Sequence, residues 1–146
     1  MKIYLASSWR NKDRVRNVGA LLMGAGHETF DFTNPGPTSK LPNGFHWSEI
    51  DSEWQSWNPS VYRMHLLNHR LAKDGLQQDL DGMNWADACV AIQPFGRSAS
   101  LELGWFIGQG KPAHVLLSSG EPELMIGLAT GIHTSHVELL DALAYG

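Results

Sequence analysis

The chain has 146 residues, 42% of them hydrophobic, and a formal net charge of −4. This length is typical of one globular domain with a proper core, so tandem domains are not expected. The negative charge argues against a nucleic acid polymer or a membrane as partner, because both are anionic. A small molecule is the expected partner.

The single cysteine, Cys89, lies in an apolar run, where a thiol behaves as a small hydrophobe, and it has no second cysteine for an internal disulfide. No apolar run reaches the length of a signal sequence or a membrane span, so a cytoplasmic location is expected. His65 and His69 are four residues apart, but no acidic or cysteine partner shows ligand spacing, and we predict no metal. Dinucleotide and P-loop glycine motifs are absent, and no cofactor is expected.

The first third of the chain predicts a β-α-β unit followed by a long connection. Residues 3–6 form a β-prone run, a helix follows up to the glycines Gly24 and Gly26, and residues 27–32 offer a second strand. Residues 33–60 hold three tryptophans and four prolines. Such a segment is longer than most loops in compact domains. We therefore predict a Trp-rich insertion or lid at about 33–60, whose aromatic rings either pack together or stack on a base.

The remaining residues alternate helix and strand. The pattern predicts a helix within 61–80, a strand over 88–92, a helix over 100–109 capped by Gly110, a strand over 112–117 and a terminal helix over 137–144. Gly75 is predicted to break or cap the first of these helices, and Asp79 to begin another helical turn. This alternation predicts a single α/β domain over 1–146, with a doubly wound, mostly parallel sheet of the flavodoxin or Rossmann type and four or five strands.

The segment from Asp87 to Trp105 is the most informative part of the chain. A buried strand is followed by a Pro/Gly turn and then by the start of a helix, with Arg97, Ser98 and Ser100 close to that start. Free N–H groups at a helix start, hydroxyls and a guanidinium all favour an anion such as phosphate. Glu102 would repel that anion. A carboxylate in such a site therefore indicates chemistry.

A chemical interpretation brings these residues together with the end of the first strand. Ends of neighbouring parallel strands meet at one edge of a sheet, so Tyr4, Ser8 and Arg10 are expected close to the helix start that carries Glu102. A phosphate would bind there, with a sugar beside Glu102. Because cleavage of an N-glycosidic bond builds positive charge on the anomeric carbon, Glu102 would stabilise or attack that atom, and Asp79 would protonate the departing base.

Four segments of this sequence resemble the nucleoside 2-deoxyribosyltransferase family, and among its members the 2'-deoxynucleoside 5'-monophosphate N-glycosidases in particular. The resemblance covers the first strand and residues 79 to 112. The matching segments are Tyr-Leu-Ala-Ser-Ser-Trp-Arg at 4–10, Asp-Leu-Asp-Gly at 79–82, Ala-Asp at 86–87 and Gly-Arg-Ser-Ala-Ser-Leu-Glu-Leu-Gly at 96–104.

The resemblance implies a role for each matching residue. Glu102 would be the nucleophile that forms a glycosyl-enzyme intermediate, Asp79 would handle the base proton, and Tyr4 would position the nucleophile. Ser8 and Arg10 would hold a 5'-phosphate. The family also implies a homodimer or higher homo-oligomer, because a neighbouring subunit completes the site; residues 121–125 and the following tail are the candidate segment here.

At position 96 the sequence departs from that family. Its transferases have an aspartate there and its monophosphate hydrolases a serine, whereas this chain has Gly96 and places hydroxyls at Ser98 and Ser100. Two hypotheses follow. The first is an enzyme that cleaves or transfers the N-glycosidic bond of a nucleoside or its 5'-monophosphate. The alternative, favoured by Gly96, is a non-catalytic module that senses a nucleotide or a nucleotide-sugar.

Individual residues also have simpler interpretations. Glu102 would then be a solvated helix residue, Asp79 a plain N-cap and Tyr4 a core residue. Arg10 and Arg97 would be surface cations in weak ion pairs. The base, the sugar's 2'-position and the choice between hydrolysis and transfer stay open at the level of sequence.

Overall fold

The computed structural model describes residues 1–118 and 120–145. The chain divides into two compact units, one formed by Met1–Asp31 and Met83–Gly146 and the other by Phe32–Gly82. The strands are β1 (Lys2–Ala6), β2 (Glu28–Asp31), β3 (Ala88–Ile92), β4 (Ala113–Leu116) and β5 (Gly131–His133). The α-helices are α1 (Lys12–Gly24), α2 (Pro59–Asn68), α3 (Arg70–Trp85), α4 (Arg97–Gly108) and α5 (His136–Ala144). Among the described residues, every helix is too short or too polar to traverse a lipid bilayer.

The first unit is built on one parallel sheet with the strand order β2-β1-β3-β4-β5. This confirms the predicted doubly wound α/β fold, in its flavodoxin-like order. The order reverses between β1 and β3, where Tyr4 pairs with Cys89 and Ala6 with Ala91. Ligands of such sheets bind at the carboxyl ends of the strands at this reversal. The ends of β1 and β3 are therefore the first place to look for a site.

Both faces of the sheet are covered, because every residue of β3 is buried. On one face, α1 presents the buried stripe Val15, Val18 and Leu22, and Gly19 lies against Leu5. On the other face, Tyr4 and Cys89 pack against residues of α4, including Leu103 and Phe106. Alternate residues of β1 thus point to opposite faces, as a pleated strand requires.

The second unit contains a cluster of aromatic rings. The ring of Trp47 meets those of Phe45, Trp57 and Tyr62 edge to face, with centroids 4.8, 5.7 and 5.6 Å away. Trp57 also stacks on His65 at 4.4 Å, and its indole N–H donates to Asp51 Oδ2 at 2.8 Å. These contacts within the unit order a segment that is otherwise poor in regular structure.

Two predictions about the middle of the chain were wrong. Gly75 neither breaks nor caps a helix, since the interruption falls at His69 and α3 runs on from Arg70 to Trp85. Asp79 accordingly lies inside α3 and is not an N-cap. The helix after β3 also begins earlier than predicted, at Arg97, and the short strand β5 was not predicted at all because it has only three residues.

Position 75 of α3 requires glycine because of close packing, and not because of an unusual backbone conformation. A Cβ built at Gly75 would lie 2.8 Å from two carbon atoms of the Phe45 side chain. We expect Gly75→Ala to destabilise the protein by about 1–3 kcal/mol, because the overpacking outweighs the roughly 1 kcal/mol that alanine gains in a helix interior. Gly104→Ala in α4 is the matched control, since a Cβ there meets nothing within 4 Å. This variant should have a raised Tm, because alanine is favoured over glycine in a helix interior. Thermal unfolding of both variants measures the difference, and equal shifts would contradict the packing explanation.

Candidate active site

The loops after β1 and β3 are bonded together at the carboxyl edge of the sheet. The buried Ser7 hydroxyl donates to the Ile92 carbonyl at 2.7 Å. The next hydroxyl, that of Ser8, lies 3.5 Å from the Pro94 carbonyl oxygen. The structure therefore brings the end of β1, with Ser8 and the exposed Arg10, next to the turn that leads into α4.

Asn11 joins this contact from the start of α1. Its Nδ2 donates to Ser7 Oγ at 3.2 Å, to the Gln93 carbonyl at 3.2 Å and, more distantly, to the Ile92 carbonyl at 3.4 Å. Sequence reasoning did not single out Ser7 or Asn11. In a sequence, a polar residue before a helix is usually interpreted as a cap. Only the folded chain brings carbonyl oxygens more than 80 residues away within hydrogen-bonding distance of Asn11.

The start of α4 has some of the features of an anion site, namely a glycine at the N-cap and exposed polar side chains in the first turn. Gly96 is the N-cap residue in an extended conformation, and as a glycine it has no side chain that could bond to the first N–H groups of α4. Arg97 and Ser98 are exposed in the first turn. The Ser100 hydroxyl donates back to the Gly96 carbonyl at 3.1 Å, so part of its hydrogen-bonding capacity is used inside the helix.

Successive residues of an α-helix are about 100° apart, which assigns the residues of α4 to different faces. Ser98 and Glu102 are four residues apart and share one face. Arg97 and Ser100 line a cavity of about 610 Å³ on another face, together with Gly104 and with Glu121, Glu123 and Ile126. Glu102 is not among the residues that line this cavity. The large cavity and the predicted nucleophile therefore lie on opposite sides of α4.

The half-buried Glu102 lies near the sheet. Its neighbours along the helix, Leu103 and Phe106, are buried in the core beneath α4. Burial raises the pKa of the Cys89 thiol well above its usual range, and the negative charge of Glu102 raises it further. The Glu102 carboxylate therefore lies within electrostatic range of the buried thiol in β3.

Tyr4 lies beside Cys89 in the neighbouring strand and is fully buried. Its ring stacks on Phe30 at 5.3 Å and contacts Phe106 at 5.7 Å. Tyr4 is thus a core residue held by rings from β2 and α4, on the same face of the sheet as Cys89. This environment fixes the ring in one orientation.

Asp79 belongs to the second unit and lies in the body of α3. Burial raises the pKa of Asp79 from 3.8 to about 7. Desolvation alone accounts for this change, because it disfavours the charged carboxylate. A carboxyl group with such a pKa holds its proton in a large fraction of molecules at neutral pH, which is what a general acid requires.

Solved structures with the same architecture include two enzymes. A 2-deoxyribosyltransferase from Bacillus psychrosaccharolyticus is 21% identical, with a TM-score of 0.62 over 97% of this chain and 91% of that chain. A CMP N-glycosidase from Clostridium botulinum is 18% identical, with a TM-score of 0.53 over 99% and 98%. A conserved protein from Enterococcus faecalis V583 is 12% identical, with a TM-score of 0.62 over 99% and 98%.

These likenesses extend over nearly the whole length of each chain. No protein-family model matches the sequence, and no curated protein matches it closely either. The resemblance noted in the sequence therefore finds its support in three dimensions: this chain has the fold of the nucleoside 2-deoxyribosyltransferase structures, with its candidate carboxylate on the helix that follows the third strand.

Proposed function

We propose that this protein is an enzyme that cleaves or transfers the N-glycosidic bond of a nucleoside or its 5'-monophosphate, with Glu102 as the nucleophile. The observation that carries the proposal is the position of Glu102, half-buried on α4, the helix that packs on the sheet face formed by Tyr4 and Cys89. A carboxylate kept near the switch point of a parallel sheet suits attack on a sugar bound there.

The proposed reaction has two steps. A Glu102 carboxylate oxygen attacks C1' as the bond from C1' to the base nitrogen breaks, and the bonding electrons leave with the base. Asp79 supplies the proton that the departing base takes up. Water, or a second base in a transfer reaction, then attacks C1' of the glycosyl ester, gives its proton back to the Asp79 carboxylate and releases Glu102 as a carboxylate.

Tyr4 and the phosphate site complete the proposal. The fixed ring of Tyr4 lies on the sheet face that Glu102 approaches and would orient the carboxylate. Ser8, Arg10 and Ser98, with the first N–H groups of α4, would bind a 5'-phosphate. Arg97 and Ser100 line the cavity on the other side of the helix, and we assign them a smaller part in this binding. The predicted homo-oligomer remains a prediction that gel filtration can test.

Base release provides the direct test. The protein is incubated with a panel of deoxynucleosides, ribonucleosides and their 5'-monophosphates, with and without a second free base, and products are separated by chromatography. Free base from at least one substrate supports the proposal, and an exchanged base shows transfer. Thermal stabilisation by a nucleotide without any base release after long incubation would instead support the sensor hypothesis.

Substitution of Arg10 tests the phosphate site. We expect Arg10→Ala to raise the KM for a 5'-monophosphate about tenfold, the equivalent of about 1.4 kcal/mol, because a charge-assisted contact is lost. The KM for the corresponding nucleoside should stay the same. Arg16→Ala, which removes an exposed arginine from α1, is the matched control. An equal effect of Arg10→Ala on both substrates would contradict this assignment.

A further inference from the structure

We propose that Ser7 and Asn11 are positioning residues that hold the loops after β1 and β3 at the separation a 5'-phosphate requires. This inference rests on the proposed function and deepens it, since it concerns the same substrate group. We call these two side chains, with the Ile92 and Gln93 carbonyls that accept from them, the loop clasp. Neither residue needs to touch the substrate.

The geometry of the loop clasp is specific to the switch point of the sheet. Ser7 Oγ donates to the Ile92 carbonyl at 2.7 Å and accepts from Asn11 Nδ2 at 3.2 Å. The same amide group donates to the Gln93 carbonyl at 3.2 Å. The Ser7 hydroxyl and the Asn11 amide are thus bonded to each other and to two consecutive carbonyls at the end of β3. Ser7 is also among the few buried polar residues of the described chain.

The long-range contacts of Asn11 link the start of α1 to the loop after β3. Asn11 lies where the short 3-10 turn Trp9–Asn11 continues into α1, and its side chain makes no cap bond to that helix. Its amide group donates across the sheet edge, to carbonyls 81 and 82 residues away. These bonds fix the β3 loop relative to the start of α1.

The clasp continues to the next strand through Gln93. The Gln93 N–H donates to the Leu116 carbonyl at 3.1 Å, and its side-chain Oε1 accepts from the Ser118 N–H at 3.2 Å. The loop that leads to Gly96 is therefore bonded to the β1 side by Ser7 and Asn11 and to the β4 side by Gln93. Such a loop has little freedom to shift when a ligand binds.

The clasp residues flank the predicted phosphate ligands in the sequence. Ser8 and Arg10 lie between Ser7 and Asn11, and the Ser8 hydroxyl is 3.5 Å from the Pro94 carbonyl. A phosphate that takes contacts from both loops needs them at a constant separation, whereas a nucleoside without the phosphate does not. Loss of the clasp should therefore weaken binding of the monophosphate selectively.

The test compares Asn11→Ala and the milder Ser7→Ala with the wild type on one nucleoside and its 5'-monophosphate. We expect each variant to raise the KM for the monophosphate about tenfold, with kcat within about twofold and the nucleoside KM unchanged. Calorimetric titration with the monophosphate measures binding independently of turnover. Two variants are used because Ser7→Ala removes a single oxygen and should fold even if Asn11→Ala does not.

Asp87→Ala is the matched control. Asp87 Oδ2 accepts from the Lys2 N–H at 2.9 Å and so links β1 and β3 at the opposite, amino-terminal edge. A loss of monophosphate binding in the control as well, or an equal loss for nucleoside and monophosphate in the clasp variants, would overturn the inference. If the wild type binds the monophosphate without releasing base, and the clasp variants bind it more weakly, the proposed reaction fails but the clasp stands. If the wild type binds no monophosphate, the clasp inference fails too.

Discussion

Replacement of Glu102 by glutamine is expected to abolish base release. Glutamine preserves the size of the side chain but removes the negative charge and the nucleophilic oxygen that would form the bond to C1'. Loss of a nucleophile lowers kcat by roughly 10³-fold or more in enzymes that depend on one. Chromatography of the released base measures this effect, and mass spectrometry of the intact wild-type protein with substrate can reveal the glycosyl adduct that the variant should lack.

The control for Glu102 is Glu28→Gln, which makes the same chemical change at an exposed position where β2 begins. That variant should keep full activity. Circular dichroism and thermal unfolding establish whether Glu102→Gln is folded. A folded Glu102→Gln protein with wild-type turnover would exclude a covalent or electrostatic role for this carboxylate and, with it, the mechanism proposed above.

Replacement of Asp79 by asparagine is expected to lower kcat roughly 10²- to 10⁴-fold, the range measured for general acids. In the proposed mechanism the acting form of Asp79 is the protonated acid, and burial raises the pKa of this group to about 7. Wild-type kcat should therefore fall as the pH rises through about 7. An asparagine side chain cannot titrate, so the residual activity of the Asp79→Asn variant should not show this fall near pH 7. Asp81→Asn, at an exposed position of the same helix, should retain both the activity and its fall as the pH rises through about 7.

The Asp79→Asn substitution should also make the protein more stable in alkaline solution. The folded-state pKa of Asp79 lies above the unfolded value of 3.8, so the native state holds the proton more tightly than the unfolded chain does. This contribution to stability is fully present below about pH 4 and is lost as the pH rises through about 7, where a buried charge must form. We expect Asp79→Asn to be at least about 1 kcal/mol more stable than wild type at pH 8, or roughly 3 °C in Tm.

The stability difference should shrink towards pH 5, because asparagine then replaces a neutral acid. A gain in stability together with a loss of activity distinguishes a functional residue from a structural one. If Asp79→Asn were less stable than wild type at pH 8, its carboxylate would be making favourable native contacts, and the general-acid assignment would be wrong.

The sequence predicted those elements whose apolar pattern is periodic and whose ends are marked. The run at 88–92 agrees with β3 residue for residue, and Gly110, with a φ of +71°, ends α4 as predicted because glycine readily adopts that conformation. Prediction failed for β5, which is too short to show a pattern, and at Gly75, where a close approach of Phe45 requires glycine inside a helix. Local propensity contains no information about such a contact.

For the site, the residue types and their order along the chain were readable from the sequence alone: a serine and an arginine after the first strand, and a carboxylate after the third. Tertiary structure alone decided which of them face one another. It placed Arg97 and Ser100 beside a cavity, joined Asn11 to the β3 loop by hydrogen bonds, and buried Asp79 enough to raise its pKa to about 7. Hydrogen bonds between distant segments and desolvation depend on which groups the folded chain brings together, and no local pattern encodes either.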